Sequence, residues 1–334
     1  MILIETAGGF GNQLQQYAFC KKLESLGADV RLDLHWFSGE VQEKTEYKRS
    51  LSISRLSGIS FSEASAADRE RLLGKEGLSR SLRKAAGKLL PFARREFTES
   101  GIYHGELMER IRQHPDTDLY IRGFFACEAY YADLLPSLRD KVSFPVDTDP
   151  LLSFEERGAI HALSEKIRET EAVSIHIRRG DYLDEKNRAL FGGICTADYY
   201  LGALSHVLKS AFSPRLFVFS DDPSFSEAFV RDLVAKLQKS DDPVIKAAAD
   251  ALLIEAVNVC HGENSLYDVY LMSLCRHNIT ANSTFSFWGA RFNAHEDKIM
   301  VRPERHKNSQ PFDPEVMKKL WPGWTFVSEH GNIS

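Results

Sequence analysis

Apolar and polar positions along the chain first mark out a β-α-β unit. Ile2–Glu5 is a short apolar run that leads into the glycine turn Gly8-Gly9-Phe10-Gly11. From Asn12 onward, Leu14, Tyr17, Ala18 and Leu26 fall near a 3.6-residue period, which predicts a helix closed by Gly27. Over residues 28–34, Val30, Leu32 and Leu34 alternate with Arg31 and Asp33, the signature of a strand. Strand, helix and strand in that order predict a parallel sheet. Residues 38–115 carry a weaker pattern, after which 120–125 reads as a strand and 129–138 as a helix. Beyond a helix over 154–169 the alternation is regular. Strands are expected at 172–177, 215–219, 253–259, 277–281 and 298–302, and helices at 198–210, 224–239, 264–274 and 286–294. Five strands separated by helices predict a second, doubly wound parallel sheet.

The 334 residues suffice for two domains. Phe144-Pro145-Val146-Asp147-Thr148-Asp149-Pro150 is the best linker, so domains are expected over 1–150 and 151–334, facing a ligand cleft at the carboxyl ends of their strands. A net charge of −5 gives no global basic field, so a nucleic-acid partner is not expected. No apolar run reaches the roughly 18–20 residues that span a bilayer. The N-terminus reads as a strand rather than a leader, and five cysteines, an odd and scattered set, fit reduced thiols in a cytoplasmic protein. The sequons at Asn278, Asn282 and Asn332 are then not expected to carry glycans. Residues 66–96 are dense in arginine, lysine and glutamate, with Leu78, Leu82, Ala85, Leu89 and Leu90 at helical spacing. That stretch reads either as a solvated helix or as a basic surface that touches the inner face of a membrane or a lipid-linked acceptor.

Candidate chemistry lies just after the strands. Gly8-Gly9-Phe10-Gly11-Asn12-Gln13 lets a backbone approach a ligand, yet it lacks the third glycine of a dinucleotide fingerprint. His176-Ile177-Arg178-Arg179-Gly180-Asp181-Tyr182 places two arginines at a strand end, suited to phosphate. Neighbouring strand side chains point to opposite faces, so one arginine is expected to meet a ligand while the other pairs with Asp181 or another carboxylate. In Ser220-Asp221-Asp222-Pro223, Asp222 reads as a helix N-cap, with metal or ribose binding as the other use of the two acids. Asn282-Ser283-Thr284-Phe285-Ser286 opens a helix and either caps it or cradles a diphosphate. Asp268, in an apolar helical stretch, is either an exposed acid or a reader of a guanine edge. No metal-binding motif is present, so no metal and no cofactor are expected.

Taken in order, Gly8-Gly9-Phe10-Gly11-Asn12-Gln13 with Gln16-Tyr17-Ala18, His176-x-Arg178-Arg179-Gly180-Asp181-Tyr182, Ser220-Asp221-Asp222 and Asn282-Ser283-Thr284-Phe285-Ser286-Phe287-Trp288-Gly289-Ala290 resemble the bacterial α-1,2-fucosyltransferases of glycosyltransferase family 11. The resemblance runs from residue 1 to about 325. The chain departs from the family pattern at Leu14-Gln15, where Met-Phe is usual, and at Phe287, where Trp is usual. The resemblance implies a GT-B-like α/β fold, two Rossmann-like domains facing a cleft. It implies a galactoside 2-α-L-fucosyltransferase that uses GDP-β-L-fucose without a metal, acting on a galactose-containing oligosaccharide or lipid-linked glycan. By the same resemblance Arg178 clamps the diphosphate, His176 lies near the nucleoside, Asp268 meets guanine or ribose, Ser283, Thr284 and Phe285 line the phosphates, and Gly11 and Asn12 reach the donor.

Inversion at the anomeric carbon calls for one in-line displacement, helped by a general base. Asp181 is the first candidate for that base, with Asp184, Glu185, Asp33 and His35 as others. Two other readings stay open: a GDP-fucose transferase of different linkage, and a non-catalytic nucleotide- or glycan-binding protein on the same fold.

Overall fold

The structure, a computed structural model, describes residues 1–74 and 95–334, without the side chains of Asp181, Leu183 and Lys186. The chain divides into two units, Met1–Ser143 and Phe144–Ser334. The basic stretch expected over 66–96 lies mostly outside the described residues. Its described part is the helix Ala66–Leu73, which Ser65 and Asp68 start with a reciprocal capping box. Among the described residues no helix is long and apolar enough to cross a membrane.

In the first unit, β1 (Ile2–Glu5), β2 (Val30–Asp33), β3 (Ser62–Glu63), β4 (Glu96–Thr98) and β5 (Leu119–Arg122) form a parallel sheet in the order β3-β2-β1-β5-β4. Ile2 pairs with Val30 on one side and Leu119 on the other. Ile2, Leu3 and Ile4 are all fully buried, as a central parallel strand covered on both faces must be. The first helix runs Phe10–Ser25 and so starts two residues before the expected Asn12, with Gly9 as its extended N-cap. Gly27, at φ +89°, takes the left-handed conformation that ends it, as expected. The helix is buried almost all round, including Gln13, Gln15 and Gln16. Residues 128–134 form two short 3-10 turns ahead of the helix Leu135–Lys141, in place of the single helix expected over 129–138.

In the second unit, β6 (Glu171–Ile177), β7 (Pro214–Ser220), β8 (Leu253–Val257), β9 (His277–Ile279), β10 (Met300–Pro303) and β11 (Trp324–Val327) form a parallel sheet in the order β11-β10-β9-β6-β7-β8. The last strand was not expected; it adds one to the five read from the sequence. Val173, Ile175, Leu204, Leu216, Val218, Val230 and Ile279 belong to one buried cluster beneath the flanking helices. Each such side chain contributes roughly 1.5–3 kcal/mol by leaving water.

The expected boundary at 150 moves to 143. Phe144 packs on Tyr270 (ring centroids 5.5 Å apart), Tyr267 and Phe292, and the Asp149 carboxylate accepts from the Tyr267 hydroxyl at 2.8 Å. These contacts make residues 144–150 the first segment of the second unit.

Candidate active site

The order of the second sheet puts its topological switch at β6. From β6 the chain builds outward through β7 to β8, then returns to the other side of β6 and builds through β9 to β11. Ligands of open α/β sheets bind outside the carboxyl ends of the strands at such a point. The loops that leave β6 and β9 there are the ones carrying His176-x-Arg178-Arg179 and Asn282-Ser283-Thr284-Phe285.

Both arginines meet carboxylates other than Asp181, whose side chain lies outside the described residues. Arg178 Nη1 lies 2.9 Å from Asp221 Oδ2. The other oxygen of Asp221 accepts the backbone N–H of Arg179 at 2.8 Å. Arg179 Nε donates to Asp222 Oδ2 at 3.1 Å, and its guanidinium lies 3.5 Å from the Phe225 ring centre. Arg179 is therefore spent on the helix that follows β7, whereas the Arg178 guanidinium lies between Asp221 and the Tyr182 ring, 5.8 Å from its centre. A Cβ on Gly180 would stand 2.4 Å from Asp221 Oδ2, so only glycine lets Asp221 come this close. Asp222 is the N-cap read from the sequence: it accepts from Phe225 N–H, with Pro223 in the first turn.

His176 is buried on β6, 4% exposed, with its ring 5.8 Å from that of Phe285. Burial, and then the Arg178 charge, hold its pKa down at about 3, so it stays neutral. Its Nδ1 is buried without a hydrogen-bond partner among the described residues.

Asn282 is a brace rather than a ligand group. Its Nδ2 donates to the carbonyls of Phe191 and His306, both at 3.1 Å, its Oδ1 accepts from Cys195, and its carbonyl accepts from the Tyr182 hydroxyl. Ser283 is the N-cap of the helix Thr284–Phe292 but makes no side-chain capping bond. Ser283, Thr284 and Phe285 are half-buried.

Asp268 lies in the first turn of the helix Leu266–Leu274. It is not the exposed helical acid that was one reading of the sequence. Its Oδ1 is shut away from solvent with no hydrogen-bond partner among the described residues, and burial raises its pKa to about 8. A Cβ on Gly289 would stand 2.7 Å from Met272 Cβ, so glycine lets Leu266–Leu274 pack closely on Thr284–Phe292.

In the first unit, Gly8, at φ +83°, turns the chain after β1, and a Cβ on it would stand 2.7 Å from Asn12 Nδ2. Buried amides hold this turn, and the sequence reading missed them. Gln13 Nε2 donates to the carbonyls of Gly8 and Ser50, while its Oε1 accepts from Ile53 N–H. Gln16 Oε1 accepts from Ala7 N–H at 3.0 Å and its Nε2 donates to the Gly123 carbonyl at 2.9 Å. Two glutamines three apart beside a glycine turn were the available signal. Asp33, a candidate base, is 3% exposed and fully engaged: it accepts from the Tyr120 hydroxyl at 2.6 Å and from His35 N–H, and faces Arg69. We therefore assign it to the framework.

The second unit is thus a parallel α/β unit with Arg178 and the neutral His176 at the end of β6, its switch strand. The model of the family "Glycosyl transferase family 11" matches residues 148–328, and the chain belongs to that family of glycosyltransferases. The O-antigen biosynthesis glycosyltransferase WbnK of Escherichia coli is 31% identical over 192 residues; the matched stretch covers 56% of this chain and only 57% of WbnK. The alpha-1,2-colitosyltransferase of Escherichia coli is 24% identical over 319 residues, 94% of this chain and 96% of its own. A crystal structure of POFUT1 in complex with GDP aligns over 90% of this chain and 97% of its own, at 14% identity and a TM-score of 0.35.

Proposed function

We propose that this glycosyltransferase moves L-fucose from GDP-β-L-fucose to the 2-hydroxyl of a terminal galactoside, with inversion and without a metal ion. The observation that carries the reading is Asp268. A carboxyl group with a buried, unpartnered oxygen, on a helix packed against the Ser283 helix start, offers what a guanine edge needs: an acceptor for two neighbouring N–H donors. Arg178, held by Asp221, supplies fixed positive charge where the β-phosphate gains negative charge as the C1–O bond breaks. A preorganised donor of this kind is worth about 3–4 kcal/mol. Ser283, Thr284 and the first N–H groups of their helix lie in the same loop set, and neutral His176 beside Phe285 suits the nucleoside. Gly11 and Asn12 keep the donor role that the family resemblance assigns them. Asp181 is our choice of general base, a contribution of typically about 10²–10⁴-fold.

The colitosyltransferase likeness spans nearly the whole chain and favours a second donor, GDP-colitose, with the same 1,2 linkage. The test offers the purified protein GDP-fucose or GDP-colitose with a panel of oligosaccharide and lipid-linked β-galactosides, in EDTA. The fucosyl reading predicts α-1,2-fucosylated product by NMR linkage analysis, at a rate EDTA leaves unchanged. Turnover with GDP-colitose alone, a different linkage, or activity that returns only with Mg²⁺ or Mn²⁺ would overturn it.

A further inference from the structure

The first sheet has a switch point of its own, where β1 lies between β2 and β5. Two turns leave the carboxyl ends of β1 and β5 side by side: the glycine turn at Gly8 and the turn Gly123-Phe124-Phe125. The second turn is strained. Gly123 has φ +154°, and Phe125, at φ +49°, is the one non-glycine residue with positive φ among the described residues. Burial fixes Phe125 in that conformation, its ring stacked on Phe19 with centroids 3.8 Å apart and planes 8° apart. The result is that its neighbour Phe124 turns outward and stays 47% exposed, with Cε1 3.4 Å from where a Cβ on Gly8 would stand, next to Asn12.

Phe124 is also pinned from below. Glu99, which follows β4, accepts the Phe124 N–H through Oε2 at 3.3 Å, and a Cβ on Gly123 would stand 2.4 Å from Glu99 Cβ. Gln16 holds the Gly123 carbonyl. An exposed aromatic on a strained, triply braced turn at a switch point is arranged to present a face.

Resting on the glycosyl-transfer reading above, we propose that Phe124 is a stacking platform for the apolar C–H face of the acceptor hexopyranose, and that Glu99 is its positioning residue. An aromatic ring against a sugar face excludes water from both without demanding a hydrogen-bond pattern. It therefore suits a galactoside whose hydroxyl groups are read by other residues.

The test compares Phe124→Ala, Phe124→Tyr, Glu99→Ala and Glu99→Gln with the wild type. The readouts are acceptor KM, donor KM and kcat, together with saturation-transfer NMR of methyl β-D-galactoside, lactose and N-acetyllactosamine, and GDP binding by calorimetry. Phe124→Ala should raise acceptor KM and weaken NMR saturation about 3–10-fold, the range of one aromatic contact, with GDP affinity unchanged. Phe124→Tyr should restore both. Glu99→Ala should reproduce the Phe124→Ala pattern, and Glu99→Gln, which keeps the oxygen that accepts Phe124 N–H, should rescue it. Unchanged acceptor binding in Phe124→Ala, or equal losses for donor and acceptor, would overturn the platform. So would a wild type that binds none of the three galactosides while still binding GDP. Failure of GDP to bind the wild type would instead strike at the donor reading, and the NMR arm would still decide the role of Phe124.

Discussion

Replacing Asp268 with asparagine should abolish a pH dependence that the buried carboxyl group creates. In the free protein this group has a pKa of about 8, against roughly 3.9 for an unstructured aspartate. On the proposed guanine role, the ionised form accepts from both N–H groups of the base, so nucleotide binding drives off its proton. At pH 7 about one molecule in ten carries the carboxylate, and at pH 6 about one in a hundred. Affinity for GDP should therefore rise about tenfold per pH unit below pH 7, by roughly 50-fold between pH 6 and pH 8, and then level off. His176, with a pKa of about 3, stays neutral over this span and adds no slope. The terminal phosphate of GDP titrates in the same range in wild type and Asp268→Asn alike, so the difference between the two isolates the carboxyl group. Calorimetry in two buffers of different ionisation enthalpy should show about one more proton released by the wild type at pH 6.5.

Stability without nucleotide supplies a second reading with a fixed sign. The folded pKa lies above the unfolded one, so the group's stabilisation is full below about pH 4 and is lost as pH rises through about 8. The wild-type Tm should fall relative to Asp268→Asn over that interval. Parallel affinity profiles for the two proteins, or no extra proton, would refute the guanine assignment. A flat Tm difference would refute the buried, protonated state.

The two adjacent arginines should separate by function. Arg178→Lys should lose most of kcat with Tm and GDP binding nearly unchanged, because lysine keeps charge but not a fork that can hold Asp221 and a phosphate together. Arg179→Lys should instead lower Tm, since it gives up the contact with Phe225; a larger kcat loss at Arg179 would reverse the assignment. Gly289→Ala should cost about 1–3 kcal/mol in a denaturant titration, the usual cost of forcing a carbon into a filled interface, and should weaken GDP binding as the Asp268 helix is pushed away.

Much of the fold was legible because a buried parallel sheet writes itself as apolar runs, as at residues 172–177 and 215–219. The strands that escaped notice have physical reasons. Ser62–Glu63 and Glu96–Thr98 are too short and too exposed to carry an alternation, and Trp324–Val327 is an edge strand of four residues. The first helix is legible from Leu14, Tyr17 and Ala18, but not its start, because its first two residues, Phe10 and Gly11, belong to a glycine-rich stretch that reads as a loop. At the site, single-residue chemistry was legible and pairing was not. Strand alternation predicts that Arg178 and Arg179 differ, but both lie just beyond the end of β6 at Ile177, and Asp221 and Asp222 as their separate partners depend on β7 lying beside β6. Glu99 and Phe124 were missed because their meaning is a juxtaposition of three strand ends drawn from distant parts of the chain.

Gln16 gives the first unit a mechanical property. A single amide holds Ala7 N–H with its oxygen and the Gly123 carbonyl with its nitrogen, so the turns after β1 and β5 share one rivet, and it is driven in from inside the first helix. Neither turn can shift without stretching a bond to the other, and a displacement of that helix would carry both. The two turns are thus fastened to each other through one side chain rather than each to its own strand alone.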